Sequence, residues 1–189
     1  MLQKAQFRKP CVKTRFAAYD LPMSTPTPSP NIERATFNSP LGSMTMAASA
    51  HGLCGLWFDG QAHQPDLQQW ALEPTHPVLQ AAATQLTAYF AAQTARFTLP
   101  LDIALGTPFQ QSVWERLRAI PYGVTQSYGE IARYLGQPAA SRAVGAAVGR
   151  NPLSIIVPCH RVVGSNGALT GYAGGLERKI ALLQLEKAL

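Results

Sequence analysis

Cysteine is scarce in this chain, with only Cys11, Cys54 and Cys159 in 189 residues. Thiols so few and so far apart cannot staple a small secreted fold, and none stands in a C-x-x-C zinc pair. The four histidines, His51, His63, His76 and His160, fall at no metal-ligand spacing with them. The expectation is therefore no metal, no cofactor, and thiols kept reduced in a cytoplasm. No apolar run approaches bilayer-spanning length, so no membrane is expected, and the first residues lack the apolar core of a secretory signal. No internal repeat is visible. Acids are missing where bases gather: residues 1–19 contain none, and between Ile103 and Thr170 the arginines Arg116, Arg118, Arg133, Arg142, Arg150 and Arg161 meet only Glu115 and Glu130. With a net charge of +6, this surplus suits a phosphate-bearing partner, and equally a solvated basic face with no ligand.

Four prolines between Pro22 and Pro30 exclude a helix or an interior strand, so 1–34 reads as a basic tail and Pro-rich linker. From Ala35 the pattern is strand-like. A turn at Ser39-Pro40-Leu41-Gly42 precedes a run from Ser43 to Ala48, and a turn at His51-Gly52 precedes a run from Leu53 to Phe58. That predicts an antiparallel meander of two or three strands. Pro77 to Gln93 then reads as a helix with Val78, Ala82, Leu86 and Phe90 on one face. The expected fold is α/β: a small support domain of antiparallel strands plus a helix over 35–99, then a mainly helical domain over 100–189.

The second half opens on Thr107-Pro108-Phe109-Gln110, which offers an N-cap, a proline at the first helical position and a glutamine to close a capping box. Val113, Trp114 and Leu117 form the stripe that follows, and Pro121-Tyr122-Gly123 stops the helix. A second box, Ser127-Tyr128-Gly129-Glu130, precedes Ile131, Ala132 and Leu135; Gly136-Gln137-Pro138 breaks that helix, and another runs from about Ser141 to Val148 with Val144 and Val148 inward. Two short helices about a glycine-containing turn fit a helix-turn-helix, or simply two small packing helices. The second helix is unusual for a major-groove reader. Its outward positions read as Ala140, Ala143, Gly145, Ala146 and Ala147, with no long polar side chain to reach base edges. Small residues instead suit close approach to a minor groove, and Arg142 is the helix's one long cation, suited either to enter the base stack or to hold a phosphate.

Asn151 to Gly164 carries the chemistry. Ser154 to Val157 reads as a short buried strand, ended by Pro158, with Cys159 and His160 displayed at its exit. A thiol needs a base, and the adjacent histidine could be one. Neighbours in an extended chain point to opposite sides, so a bridging water is the expected relay. The imidazole in turn needs an orienting carboxylate.

Pro158-Cys159-His160-Arg161-Val162 resembles the active-site signature of the O6-alkylguanine-DNA alkyltransferases. The resemblance runs from about Gly106 to Glu186. Asn151-Pro152, Gly171-Tyr172-Ala173-Gly174-Gly175-Leu176 and the surroundings of Tyr128 and Arg142 all match in order and spacing. It implies that Cys159 accepts an alkyl group, that His160 is its base through a water, and that Glu186 orients His160, with Glu177 as rival. Glu186 belongs to a terminal helix whose apolar line reads Leu176, Ile180, Leu183. The resemblance further implies that Asn151 tethers the turn, Tyr128 donates its phenol to the purine, Tyr172 walls the alkyl pocket, and Arg142 replaces the flipped nucleotide. Gln137 and Ser165 match positions near the DNA backbone, with Ala143 on the closely approaching helix. The implied partner is duplex DNA containing alkylated guanine, bound through the minor groove by a monomer. O4-alkylthymine stays open as a second substrate.

On this reading the Cys159 pKa is depressed by its His-Glu neighbours, and S-alkylcysteine, a thioether, leaves the protein spent after one turnover. Ala173 departs from relatives with a hydroxyl there, and the four-cysteine zinc domain fused to some bacterial relatives is absent. Two rivals remain from the residues alone. A helix-turn-helix regulator would be disfavoured by its alanine-rich second helix. A cysteine hydrolase would lack an oxyanion-hole glycine cluster beside Cys159.

Overall fold

The computed structural model describes residues 31–104 and 106–189, so nearly all of the tail and linker read over 1–34 lies outside the described residues. An N-terminal antiparallel sheet is followed by a helical domain. The sheet holds strands β1 (Glu33–Ser39), β2 (Gly42–Ser49), β3 (Gly52–Phe58) and β4 (Ala71–Leu72) in the order β3-β2-β1-β4, with β4 parallel to β1. The turn at Ser39-Pro40-Leu41-Gly42 joins β1 to β2, where Ser39 Oγ donates to the Gly42 carbonyl at 2.7 Å. Gly52 opens β3 at φ +145°, and a β-carbon there would lie 2.4 Å from the Pro100 carbonyl oxygen. Only glycine lets the two backbones come so close.

Helix α1 (Pro77–Phe90) covers one face of this sheet. It buries Leu79, Ala82, Leu86 and Tyr89, whereas Val78 and Phe90 are half-buried. Ala82 and Leu86 hold as expected, and only the ends of the line move, from Val78 and Phe90 to Leu79 and Tyr89, because a helix of 3.6 residues per turn favours mixed steps of three and four over strict fours. Tyr89, with its ring inside and its hydroxyl directed at a polar partner, takes the deep position.

The free edge of β3 is closed by the second half of the chain. Leu53 N donates to Pro100 O at 2.9 Å, Asp102 N to Leu53 O at 2.9 Å, Leu56 N to Pro152 O at 2.8 Å, and Ser154 N to Leu56 O at 2.9 Å. Backbone groups of a sheet edge need partners when buried, and these bonds provide them while joining the sheet to the helical half.

Helices α2 (Pro108–Arg118) and α3 (Tyr128–Tyr134) both start on complete capping boxes, at Thr107/Gln110 and Ser127/Glu130. Val113, Trp114 and Leu117 are buried. Helix α4 (Ser141–Gly149) packs against both α2 and α3, and buries Val144, Ala147 and Val148. Ala147 thus faces inward, contrary to its expected outward place. Its carbonyl accepts the indole N–H of Trp114 at 2.9 Å, which fixes this part of α4 against α2. A two-residue parallel ladder, β5 (Gln126–Ser127) with β6 (Val162–Val163), brings the start of α3 beside the cysteine segment. The chain closes with α5 (Leu176–Leu185). There the expected Leu176–Ile180–Leu183 line is corrected. Leu176 and Ile180 are exposed, and the buried positions are Lys179, Leu182, Leu183 and the capping Glu186. Polar side chains occupy the buried face because each finds partners inside.

Candidate active site

Residues 153–157 are buried but are not a strand. Val157 N donates to Leu153 O at 2.9 Å and Ile156 N to Ser154 O at 2.8 Å, which winds the segment into a turn, and Ile155 sits at φ +70°. A β-branched residue there costs roughly 1–2 kcal/mol, so something must hold it. Asn151 does. Its Oδ1 accepts from Leu153 N at 3.0 Å, and its Nδ2 lies 2.7 Å from Val157 O, 3.3 Å from Leu153 O and 3.0 Å from Cys159 Sγ. An apolar run of this length has the same hydropathy whether extended or turned, which is why the strand reading failed.

Cys159, His160 and Arg161 form one 3-10 turn, all buried. The extended-chain relation expected between Cys159 and His160 does not apply. His160 Nε2 lies 2.9 Å from Glu186 Oε1, and its Nδ1 is buried with no hydrogen-bond partner in the protein. Glu186 also accepts from Arg161 Nε at 2.7 Å, Arg161 Nη2 at 2.8 Å and the Tyr89 hydroxyl at 2.7 Å. Arg161 Nη1 donates to Ile120 O at 2.6 Å. Arg161, counted above with the basic surface, is therefore an interior cation spent on one carboxylate.

The titration of these groups follows from that arrangement. Burial alone would raise the Glu186 pKa, but hydrogen bonds from His160 and Arg161 and their charges hold it well below the ordinary carboxylate range. Burial pushes the His160 pKa down despite Glu186, with the Arg161 and Lys179 charges adding to the effect. A carboxylate can only accept, so His160 carries its proton on Nε2 and presents a bare Nδ1. Cys159 is corrected in sign. Burial raises its thiol to about 11, and the Asn151 bond, backbone N–H groups and the Lys179 charge oppose this only in part. The resting sulfur is a thiol, and its thiolate must be generated by proton transfer.

Lys179 is fully buried. Its Nζ donates to Val162 O at 2.6 Å, Thr170 O at 2.8 Å and Gly171 O at 3.4 Å, and burial lowers its pKa to about 8. This ammonium clamps both ends of the 162–171 loop. Tyr128 meets the same loop, its hydroxyl 3.4 Å from Thr170 O, and burial raises its pKa, so the phenol stays protonated. Tyr172 has a buried hydroxyl with no partner, and burial raises its pKa as well.

Cys159 Sγ opens on a cavity of about 150 Å³ whose walls include Tyr128, Gly145, Val148 and Tyr172. The structure thus gathers Cys159, His160, Glu186, Asn151, Tyr128 and Tyr172. Arg142, Ala143, Gln137 and Ser165 are exposed and do not line this cavity. Tyr89, Arg161 and Lys179 were missed by sequence reasoning. For Arg161 and Lys179 a signal existed: cations at the spacing of buried helix or motif positions. For Tyr89, on another domain, there was none. Glu177, the rival carboxylate, is exposed. Among the described residues no three or more His, Cys, Asp or Glu side chains cluster as a metal site, and no helix is long and apolar enough to cross a membrane.

The shifts fix the response of stability to acid. Between its lowered folded value and 6.5, His160 binds a proton only when unfolded, so stability falls as pH drops below 6.5. Glu186 adds stability above 4.5 that is lost as pH falls further toward its depressed folded value. Calorimetry should show a midpoint that declines from pH 6.5 downward and more steeply below 4.5. A midpoint that rises over that interval would contradict the assignment.

Residues 32–103 match the family described as 6-O-methylguanine DNA methyltransferase, ribonuclease-like domain, and residues 108–188 match its DNA binding domain. The chain is 49% identical over 157 residues to the methylated-DNA–protein-cysteine methyltransferase of Mycobacterium tuberculosis, covering 83% of this chain and 93% of that protein. Against the enzyme of the same name from Methanosarcina acetivorans it is 47% identical over 152 residues, covering 80% and 96%. The crystal structure of Mycobacterium tuberculosis OGT in complex with DNA superposes with a TM-score of 0.77 at 48% identity, covering 82% of this chain and 93% of that one. A turn carrying a thiol and an imidazole, tied to a carboxylate at the end of α5 and set beside a helix pair in a chain matched at this level over both halves, places it in one group: the chain belongs to the 6-O-methylguanine DNA methyltransferase family.

Proposed function

We propose that this protein repairs DNA by moving an alkyl group, methyl in the simplest case, from O6 of guanine to Sγ of Cys159, once per molecule. The observation that carries this reading is the buried Cys159 thiol on a small cavity, beside a neutral imidazole whose other nitrogen is held by a carboxylate. The relatives' name, and the crystal complex of one of them with DNA, point to the same chemistry.

His160 Nδ1 accepts the Cys159 proton through a water, and Glu186 stabilises the imidazolium that results. The thiolate attacks the alkyl carbon, a C–S bond forms as the C–O6 bond breaks, and the electron pair leaves with guanine. The protonated Tyr128 phenol supplies a proton to the departing purine. Asn151 keeps the sulfur oriented, and Tyr172 walls the alkyl side. A thioether is a very poor leaving group, so the sulfur is not regenerated. Mixing the protein with a duplex containing one O6-methylguanine and measuring intact mass should reveal one added methyl, absent in Cys159→Ala. An unchanged mass with the lesion intact would reject the reading.

The base must first leave the stack. Helix α4 presents Ala143 and Ala146, exposed and small, to the minor groove, and Arg142 fills the vacated position, while Gln137 and Ser165 meet the backbone. A monomer suffices. Because unstacking a base costs a few kcal/mol, Arg142→Ala should slow repair in duplex by about tenfold to a hundredfold while changing reaction with free O6-benzylguanine by less than about twofold. Equal slowing of both substrates, in a stopped-assay comparison, would remove the finger role.

A further inference from the structure

The cavity over Cys159 has one wall that the helical domain does not supply. Ala62 and His63, in the turn after β3, line it together with Tyr128 and Tyr172. That turn is fastened to the helical half. The Ser154 hydroxyl donates to Gln61 Oε1 at 2.9 Å, and Ala62 N donates to Ala173 O at 3.1 Å. The approach is tight, since a β-carbon on Gly174 would lie 3.1 Å from the Phe58 ring and 2.8 Å from the Tyr172 ring. His63 itself sits at φ +65°, a region that a residue with a β-carbon holds only when its surroundings fix it.

We propose that His63 is a specificity-determining residue: its ring is the outer wall of the alkyl cavity and sets the largest group that Cys159 can accept. This rests on the reading of Cys159 as the acceptor. At about 150 Å³ the space is well under the roughly 300–1,000 Å³ of pockets for drug-sized ligands, so a larger alkyl group must displace a wall. Val148 is locked in the core, Tyr172 has its hydroxyl buried, and Tyr128 is held against the 162–171 loop. His63 is the lining residue that combines a large side chain with exposure, so the ceiling on size is decided there.

The test compares single-turnover transfer from duplexes carrying O6-methylguanine or O6-benzylguanine, read by intact mass. His63→Ala should raise the benzyl-to-methyl rate ratio by about tenfold, and His63→Trp should lower it by about tenfold, the scale on which small changes in an apolar pocket discriminate substrates. His63→Gly, which removes the ring and also relaxes the backbone, should match His63→Ala. Ratios within about twofold of wild type in all three would overturn the proposal, and so would His63→Ala slowing both substrates equally, the mark of a DNA contact. A wild-type protein that takes up neither group would instead overturn the acceptor role of Cys159 on which the proposal stands.

Discussion

Glu186→Gln is expected to lower stability by about 3–5 kcal/mol and to slow alkyl transfer by about a thousandfold. The two losses share one origin. Glu186 is 1% exposed and accepts from His160, both sides of the Arg161 fork and Tyr89. Glutamine keeps the shape but presents an NH₂ to at least one donor and leaves the Arg161 cation without a counter-charge in the interior. Removing one member of a buried pair costs more than the pair is worth, because the stranded charge stays desolvated. The imidazole also loses the anion that fixes its Nε2 tautomer, and the thiol, held near 11, then has no adjacent base of defined orientation. Chemical denaturation and single-turnover transfer check the two halves separately. Wild-type stability with wild-type rate would show that the carboxylate is idle.

Lys179→Met should have the next largest effect, with transfer about a hundredfold slower and stability lowered by about 1–3 kcal/mol. Methionine matches the lysine stem and removes the expense of an interior ammonium, but leaves the Val162, Thr170 and Gly171 carbonyls without their donor. The 162–171 loop then loses the clamp that sets Tyr128 and leads into Tyr172. A purely structural lysine would leave the sulfur's acidity alone. Here the Lys179 charge is one of the influences pulling the Cys159 pKa down, so in Lys179→Met the pH profile of thiol alkylation should shift upward. Lys179→Arg should not restore the rate, since a planar fork cannot reproduce three bonds from one nitrogen. An unmoved profile would reduce Lys179 to packing.

Much of the architecture is legible in the sequence because local rules dictate it. Both capping boxes, the stripe Val113–Trp114–Leu117 and the turn at Ser39–Gly42 form where their residues predict. The reading fails where tertiary partners decide. Ser154–Val157 has the apolar content of a strand, but the Asn151 amide bends it into a turn. Ala147 and Lys179 are inside because Trp114 and the 162–171 loop wait there for them, which periodicity does not register. Cys159, His160 and Glu186 emerge from a motif, whereas the ring of donors around Glu186 draws on residues up to 97 positions apart. The acidity of Cys159 was read from its neighbours' charges, yet desolvation, invisible in one dimension, carries the larger weight.

The Tyr89–Glu186 bond has a consequence of its own. The carboxylate assigned above to orient His160 takes one of its donors from the helix that covers the β-sheet, so its full set of partners exists only when the two halves are docked. A chain whose N-terminal half is misfolded or peeled away keeps the Cys159 turn and the His160 and Arg161 bonds to Glu186, but leaves the carboxylate one donor short and open to water where the Tyr89 ring had covered it.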